Sequence, residues 1–184
     1  MALRLDPAPF ICALAWHIGP DIQPRSIQHG YDQDAEDRLL GVVDWQRDGY
    51  QLFAISTIAP SSRNGFLGVF PVECSWFCLP RGHFDRIGGF NPAFTSAGGG
   101  MCNHEFRNRA VTHPGVVSVV LLGEGVFHQV HGGAATNAPP GGRPHQVFNA
   151  EYRTITGKPF SSLPANETIY LGSVPDAARR YLLM

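Results

Sequence analysis

Apolar residues fall in short runs along this chain, separated by glycine, proline and polar turns. Residues 9 to 16, PFICALAW, form a run of strand length that Gly19-Pro20 ends. The prolines and polar residues of 20 to 31 predict a loop. Asp32 or Asp34 can then cap a helix reaching about Trp45: Ala35, Leu39, Val42 and Val43 fall at helical spacing, and Glu36 and Asp37 sit near its positive end. Residues 50 to 58, YQLFAISTI, are rich in aromatic and β-branched types and predict a strand or extended segment, with a turn at SSRNG, 61 to 65.

Between 69 and 79 the pattern alternates. Val72, Cys74, Trp76 and Cys78 share one face of an expected strand, and Glu73, Ser75, Phe77 and Leu79 the other. Glu73 thereby enters an otherwise apolar strand. After Pro80 a short helix over 81 to 87 should end at Gly88-Gly89, and Gly98, Gly99 and Gly100 precede Asn103, an expected helix cap for HEFRNRAV. The run VVSVVLL, 116 to 122, lacks polar alternation and predicts a strand buried on both faces in the middle of a sheet. Beyond Gly133 strand character is lost: 134 to 144 reads as a loop, with helices near 145 to 155 and 175 to 183, the latter with Pro175 early. These elements predict a single α/β domain, with a core over 9 to 133 and a helical C-terminal extension over 134 to 184.

Composition adds limits. With 184 residues, 43% hydrophobic and 16% charged, the chain can bury a sizeable core, and a compact soluble domain is expected. Lys and Arg number 14 against 15 acids, so no global field attracts nucleic acid or anionic lipid. No apolar run approaches the roughly 20 residues of a membrane helix. MALRLDPAPF lacks the charged-then-apolar pattern of a signal peptide, and a cytoplasmic location is the default expectation. Cysteines at 12, 74, 78 and 102 show no CxxC spacing. In a strand, Cys74 and Cys78 would lie about 13 Å apart, too far for a disulfide.

Candidate chemistry gathers in two stretches, VECSWFCLPRGHFDRIGGFNPAFTSAGGGMCNHEFRNRA at 72 to 110 and GEGVFHQVHGG at 123 to 133. His128 and His131 lie three apart and can bind one metal only if the strand ends near Gln129, which Gly132 and Gly133 favour. Glu73 and Glu105 are candidate general bases. A carboxylate in an apolar strand has its pKa raised towards a useful value, whereas one in a first helical turn is simply favoured by the dipole. Arg81, Arg107 and Arg109 could hold a phosphate or carboxylate, although arginines on exposed helices are ordinarily solvated. No GxSxG elbow, GxxxxGK[ST] loop, GxGxxG dinucleotide site or zinc-finger spacing is present.

RGHFDRIGGFNPAF, residues 81 to 94, resembles the segment of family-2 glycosyltransferases in which a basic residue, a short helix and I-G-G-F-[DN]-x-x-F follow a central strand. EFRNR at 105 to 109 is similar to the D-L-x-x-R that closes their acidic motif. LLGEGVFHQVHGG resembles the end of their last core strand, which often carries a metal-binding histidine. The resemblance covers residues 10 to 133. It implies a partial GT-A-like mixed sheet flanked by helices, and transfer of a sugar from a nucleotide sugar to a saccharide or other hydroxyl acceptor, assisted by Mn2+ or Mg2+. It implies His128 as first metal ligand and His131 as second, Glu105 or Glu73 as the base, and Trp76, Arg81, Gly99, Gly100 and Asn103 at the substrate.

The chain departs from that pattern in two places. Cys102 and Asn103 stand where Glu and Asp would, and an amide cannot accept a proton as a base. The chain also begins where the nucleotide-binding half of such an enzyme would end, and DQD at 32 to 34 sits at an expected helix start. Two readings follow: an acceptor-side half that needs a nucleotide-binding partner half, or a non-catalytic saccharide- or metal-binding module that self-associates through its sheet edge. A third is a metal-dependent hydrolase built on Glu124, His128 and His131.

Overall fold

The structure is a computed structural model that describes residue 5 and residues 8–73, 75–138 and 142–182. Strand β1 spans Ala8–Ile18; helices α1, Gln23–Gln28, and α2, Gln33–Leu40, follow it. A 3-10 stretch, Gly49–Ile55, leads into β2, Ser56–Ile58, and α3, Pro60–Arg63. Next come β3, Phe77–Cys78, α4, Arg81–Ile87, α5, Cys102–Thr112, and β4, Val116–His128. The chain finishes with α6, Arg143–Thr156, β5, Thr168–Leu171, and a 3-10 stretch, Asp176–Tyr181. The fold is α/β, with one mixed, curled sheet flanked by helices.

The two long apolar runs are the centre of that sheet. β1 and β4 pair in parallel, from Ala8 opposite Val116 to His17 opposite His128. β4 pairs β5 in parallel on its other side, so the run at 116 to 120 is buried on both faces, as its lack of alternation predicts. Along its remaining edge β1 takes β3 opposite Ile11 and Cys12, and β2 opposite Trp16 to Ile18, both antiparallel. Ala15 lies in the gap between them, where the Ser62 hydroxyl accepts its N–H at 2.7 Å and leaves no orphan donor.

Phe10, Cys12, Leu14 and Trp16, on one face of β1, pack against Phe106, Ala110 and Val111 of α5. Burying a large side chain such as Phe10, Leu14, Phe106 or Val111 stabilises the fold by roughly 1.5–3 kcal/mol. Phe106 centres an aromatic cluster, with the rings of Phe77, Phe84 and Phe90 each 5.2 Å away. Ala178 and Tyr181 close the far end of this core, and the Tyr181 hydroxyl donates to Ser56 O at 2.8 Å.

Several sequence expectations are corrected. The alternating stretch 69 to 79 is not one continuous strand: among its described residues only Phe77 and Cys78 pair in the sheet, and side chains of α5 take the carbonyls of residues 70 to 72. Arg107 donates to Phe70 O and Pro71 O, and His104 Nδ1 to Val72 O. Residues 50 to 58 are a 3-10 stretch for most of their length, which brings Phe53 edge-on to Trp16 at 5.0 Å. α2 stops at Leu40, leaving Val42 74% exposed, and α1 occupies part of the expected loop. The expected helical extension supplies strand β5, and its last helix is of the 3-10 kind. Cys12 is fully buried and Cys78 and Cys102 are partly buried thiols; Cys74 lies outside the described residues.

Candidate functional site

A cavity of about 840 Å³ opens between the C-terminal end of β1, the stretch after α3, and the glycine turn before α5. Glu73, Gly99, Gly100 and Asn103 all line it. His17, Ser61, His104 and Thr136, to which no role was given from sequence, share the same walls.

The glycine turn is shaped by its backbone. Gly98, Gly99 and Gly100 all have positive φ, and at Gly100, φ +52°, a Cβ would stand 2.8 Å from Glu151 Oε2. Glu151 fixes the turn from α6, where its Oε1 accepts from Thr95 N at 2.8 Å and Ser96 N at 2.9 Å. These bonds hold its carboxyl below the usual range. Asn103 does not cap α5. It lies in the first turn, with Oδ1 accepting from His104 N at 2.9 Å.

Most titratable groups on the cavity are pushed towards their neutral forms. Burial raises the Glu73 carboxyl, which the Ser61 hydroxyl only partly offsets from 3.5 Å. Burial lowers His104, against the support of its bond to Val72 O at 3.1 Å. At His17 burial, followed by the neighbouring His128, lowers the pKa to about 4, and its Nδ1 is buried without a hydrogen-bond partner. A carboxyl raised in this way is a stronger base once ionised, and neutral imidazoles beside it can donate or accept hydrogen bonds.

His128 and His131 stand behind His17. The His17 and His128 rings are 5.6 Å apart across the β1/β4 pairing, and His128 Nε2 faces His131 Nε2 at 3.2 Å. The chain turns at Gln129 as required, because Glu36, fully buried on α2, accepts the Val130 N–H with both carboxylate oxygens at 3.1 Å. Two imidazole nitrogens bound to one metal at roughly 2.0–2.1 Å each lie about 3 Å apart, so the pair fits a shared cation. Among the described residues no group of three or more His, Cys, Asp or Glu gathers to hold a metal. A cation here would take its other ligands from water or from substrate oxygens, as Mg2+ commonly does.

Other candidates lie elsewhere. Glu105 is held by Arg109 in a two-pronged ion pair, at 2.7 Å and 2.8 Å, and faces a separate cleft with Asn108 and Lys158. Arg109 also donates to Ile87 O and to Gly89 O, so it caps the C-terminus of α4. IGGF at 87 to 90 is thus a structural corner. Gly88, φ +94°, closes α4, a Cβ on Gly89 would meet the Phe84 ring at 3.0 Å, and Phe90 joins the aromatic cluster. Arg81 is on the surface, paired with Asp85. Arg107 is neither solvated nor directed at a ligand: it is buried and donates to the carbonyls of Phe70, Pro71 and Leu163. Trp76 lines a different pocket with Trp45 and Glu124, whose carboxylate accepts from Tyr50 Oη at 3.1 Å.

His17 carried a signal in the sequence, a histidine ending an apolar run, but Glu36 and Arg107 look like ordinary helix-surface charges until their tertiary partners are seen. Among the described residues no helix is long and apolar enough to cross a membrane. No family model, curated protein or solved structure matches the chain, so the resemblance rests on its motifs alone.

Proposed function

We propose that this chain forms the acceptor-side wall of a metal-assisted sugar transfer, in a partial GT-A-like fold related to family-2 glycosyltransferases. The observation that carries this reading is the shared cavity of Glu73, Gly99, Gly100 and Asn103, with the His128 and His131 pair beyond His17 at one end. In it Glu73 takes the proton of an acceptor hydroxyl. That oxygen bonds to the anomeric carbon of the donor sugar as the bond to the nucleotide diphosphate breaks. The Asn103 amide and the glycine-turn backbone orient acceptor hydroxyls. When bound at His128 and His131, Mn2+ or Mg2+ supplies positive charge for the diphosphate oxygens.

The nucleotide itself would be held by a partner half, either another chain or further sequence. Titration calorimetry with Mn2+ and with UDP-sugars tests the reading. Mn2+ binding that is lost in His128→Ala supports it and absence of Mn2+ binding sinks it, while UDP-sugar affinity is expected once a nucleotide-binding half is supplied.

A second reading is a non-catalytic saccharide- or metal-binding module. The neutralisation of Glu105 by Arg109, together with an amide at position 103, favours it. Saccharide binding with no transfer after a nucleotide-binding half is supplied would decide for this reading.

A further inference from the structure

Trp45, 36% exposed, and Trp76, 43% exposed, line one pocket of about 640 Å³ that shares no lining residue with the polar cavity. Tyr50, 54% exposed, is hydrogen-bonded to Glu124 on the same wall. The volume lies within the range of small-molecule sites, roughly 300–1,000 Å³.

An irregularity in the central strand pairing builds the pocket. Ala13 is opposite Leu121 and Leu14 is opposite Gly125, so Leu122, Gly123 and Glu124 have no counterpart on β1. Such a bulge redirects side chains, and Glu124 emerges from it onto the wall of the pocket. Its Oε1 accepts from the Tyr50 hydroxyl, which fixes the carboxylate beside the aromatic rim. Below, Gly125 lets Phe127, Phe53 and Trp16 close up, since a Cβ there would lie 3.0 to 3.1 Å from all three rings.

The chemistry of the wall selects its ligand. Glu124 is the single ionisable residue among the described lining residues, so the pocket is acidic and has no cation of its own. Exposed tryptophan faces and a carboxylate both attract an ammonium ion. Among the described lining residues the polar side-chain groups are Glu124, Gln129 and the indole N–H of Trp45 and Trp76, few against the several hydroxyls of a sugar, each of which loses water on entry.

We propose that this pocket binds a small organic cation, an ammonium group carried on a flat or short apolar body. The ammonium lies against Glu124 and the tryptophan rings, and the apolar body covers the floor around Phe127.

Three isosteric probes test this: 4-phenylbutylammonium, 4-phenylbutan-1-ol and 4-phenylbutanoate, titrated by calorimetry and by tryptophan fluorescence. Repeating the fluorescence titration in Trp76→Ala isolates the signal of the rim, since Trp16, although fully buried, packs beneath the floor. The ammonium should bind about tenfold more tightly than the alcohol, and the carboxylate more weakly than either. Glu124→Gln should reduce the ammonium to the level of the alcohol, and Trp76→Ala should weaken both, with far-ultraviolet circular dichroism unchanged.

Equal binding of all three probes, an ammonium preference that survives Glu124→Gln, or no binding at millimolar concentration would overturn the proposal. So would sedimentation showing that copies of the chain associate through this face and that Trp76→Ala disperses them. Mn2+ binding that persists in Glu124→Gln and is lost in His128→Ala keeps this outcome separate from that of the polar cavity.

Discussion

The polar cavity and the tryptophan pocket are walled by different means. Around the polar cavity the chain is irregular, and side chains bonded to backbone hold it in place: Arg107 and His104 grip residues 70 to 72, and Glu151 grips Thr95 and Ser96. The tryptophan pocket instead rests on β1 and β4, where continuous pairing interrupted by one bulge sets the geometry. A site of the first kind depends on a few buried polar contacts, so one substitution can dismantle it. A site of the second kind responds mainly to changes in volume.

Removing Arg107 should have the largest effect. Arg107→Met leaves the carbonyls of Phe70, Pro71 and Leu163 without their donor, at a cost of about 3 kcal/mol in urea unfolding. Binding in the polar cavity should fall in that variant while cation binding at Trp76 persists; equal loss at both sites would erase the distinction.

The two glycines come next. Gly100→Ala places a side chain at φ +52° against Glu151 and should cost about 2 kcal/mol, impairing the polar cavity alone. Gly125→Ala crowds three rings and should cost about 1–2 kcal/mol, impairing the tryptophan pocket alone. Unfolding curves with ligand titrations on both variants test this reciprocal pattern.

The pH dependence should separate two groups of the polar cavity by sign. Folding lowers the pKa of His104 below 6.5, so the unfolded chain takes up the proton first, and stability is lost as pH falls through the window below 6.5. Folding raises Glu73 above 4.5, so its contribution is lost as pH rises from 4.5 through its folded pKa. Melting temperatures of His104→Gln should therefore decline less on acidification than those of the parent, and Glu73→Gln should shift the profile the other way. The smallest effect is expected at Arg81→Ala, within about 0.5 kcal/mol, since its ion pair with Asp85 is solvent-exposed.

What the sequence revealed follows the same division. The central strands were legible because an uninterrupted apolar run has one stable place, between two layers. α4 was legible through its glycine stop, and α5 through its polar helical stretch after the glycine turn. In the stretch 69 to 79 alternation corresponds neither to burial, since Val69 and Trp76 are exposed, nor to strand pairing, since α5 bonds the carbonyls of residues 70 to 72. For the candidate site, Gly99, Gly100 and Asn103 are neighbours in sequence around one turn, whereas Glu73 comes from the separate stretch after α3 and meets them only through the fold. Trp76 was grouped with them by its position along the chain, three residues from Glu73, yet it faces another pocket. Glu36 could not be read at all, since its partner Val130 is 94 residues away.

Strand β5 and the packing of Ala178 and Tyr181 bear on how the chain is made. β1 is synthesised first, but the sheet around β4 stays open on one side until residue 171 is available, and the core stays open until residue 181. Parallel pairing of distant segments is slow to form. A nascent chain therefore holds its most apolar strands without their full cover until residue 181 has left the exit tunnel, which lengthens the time in which they are open to aggregation.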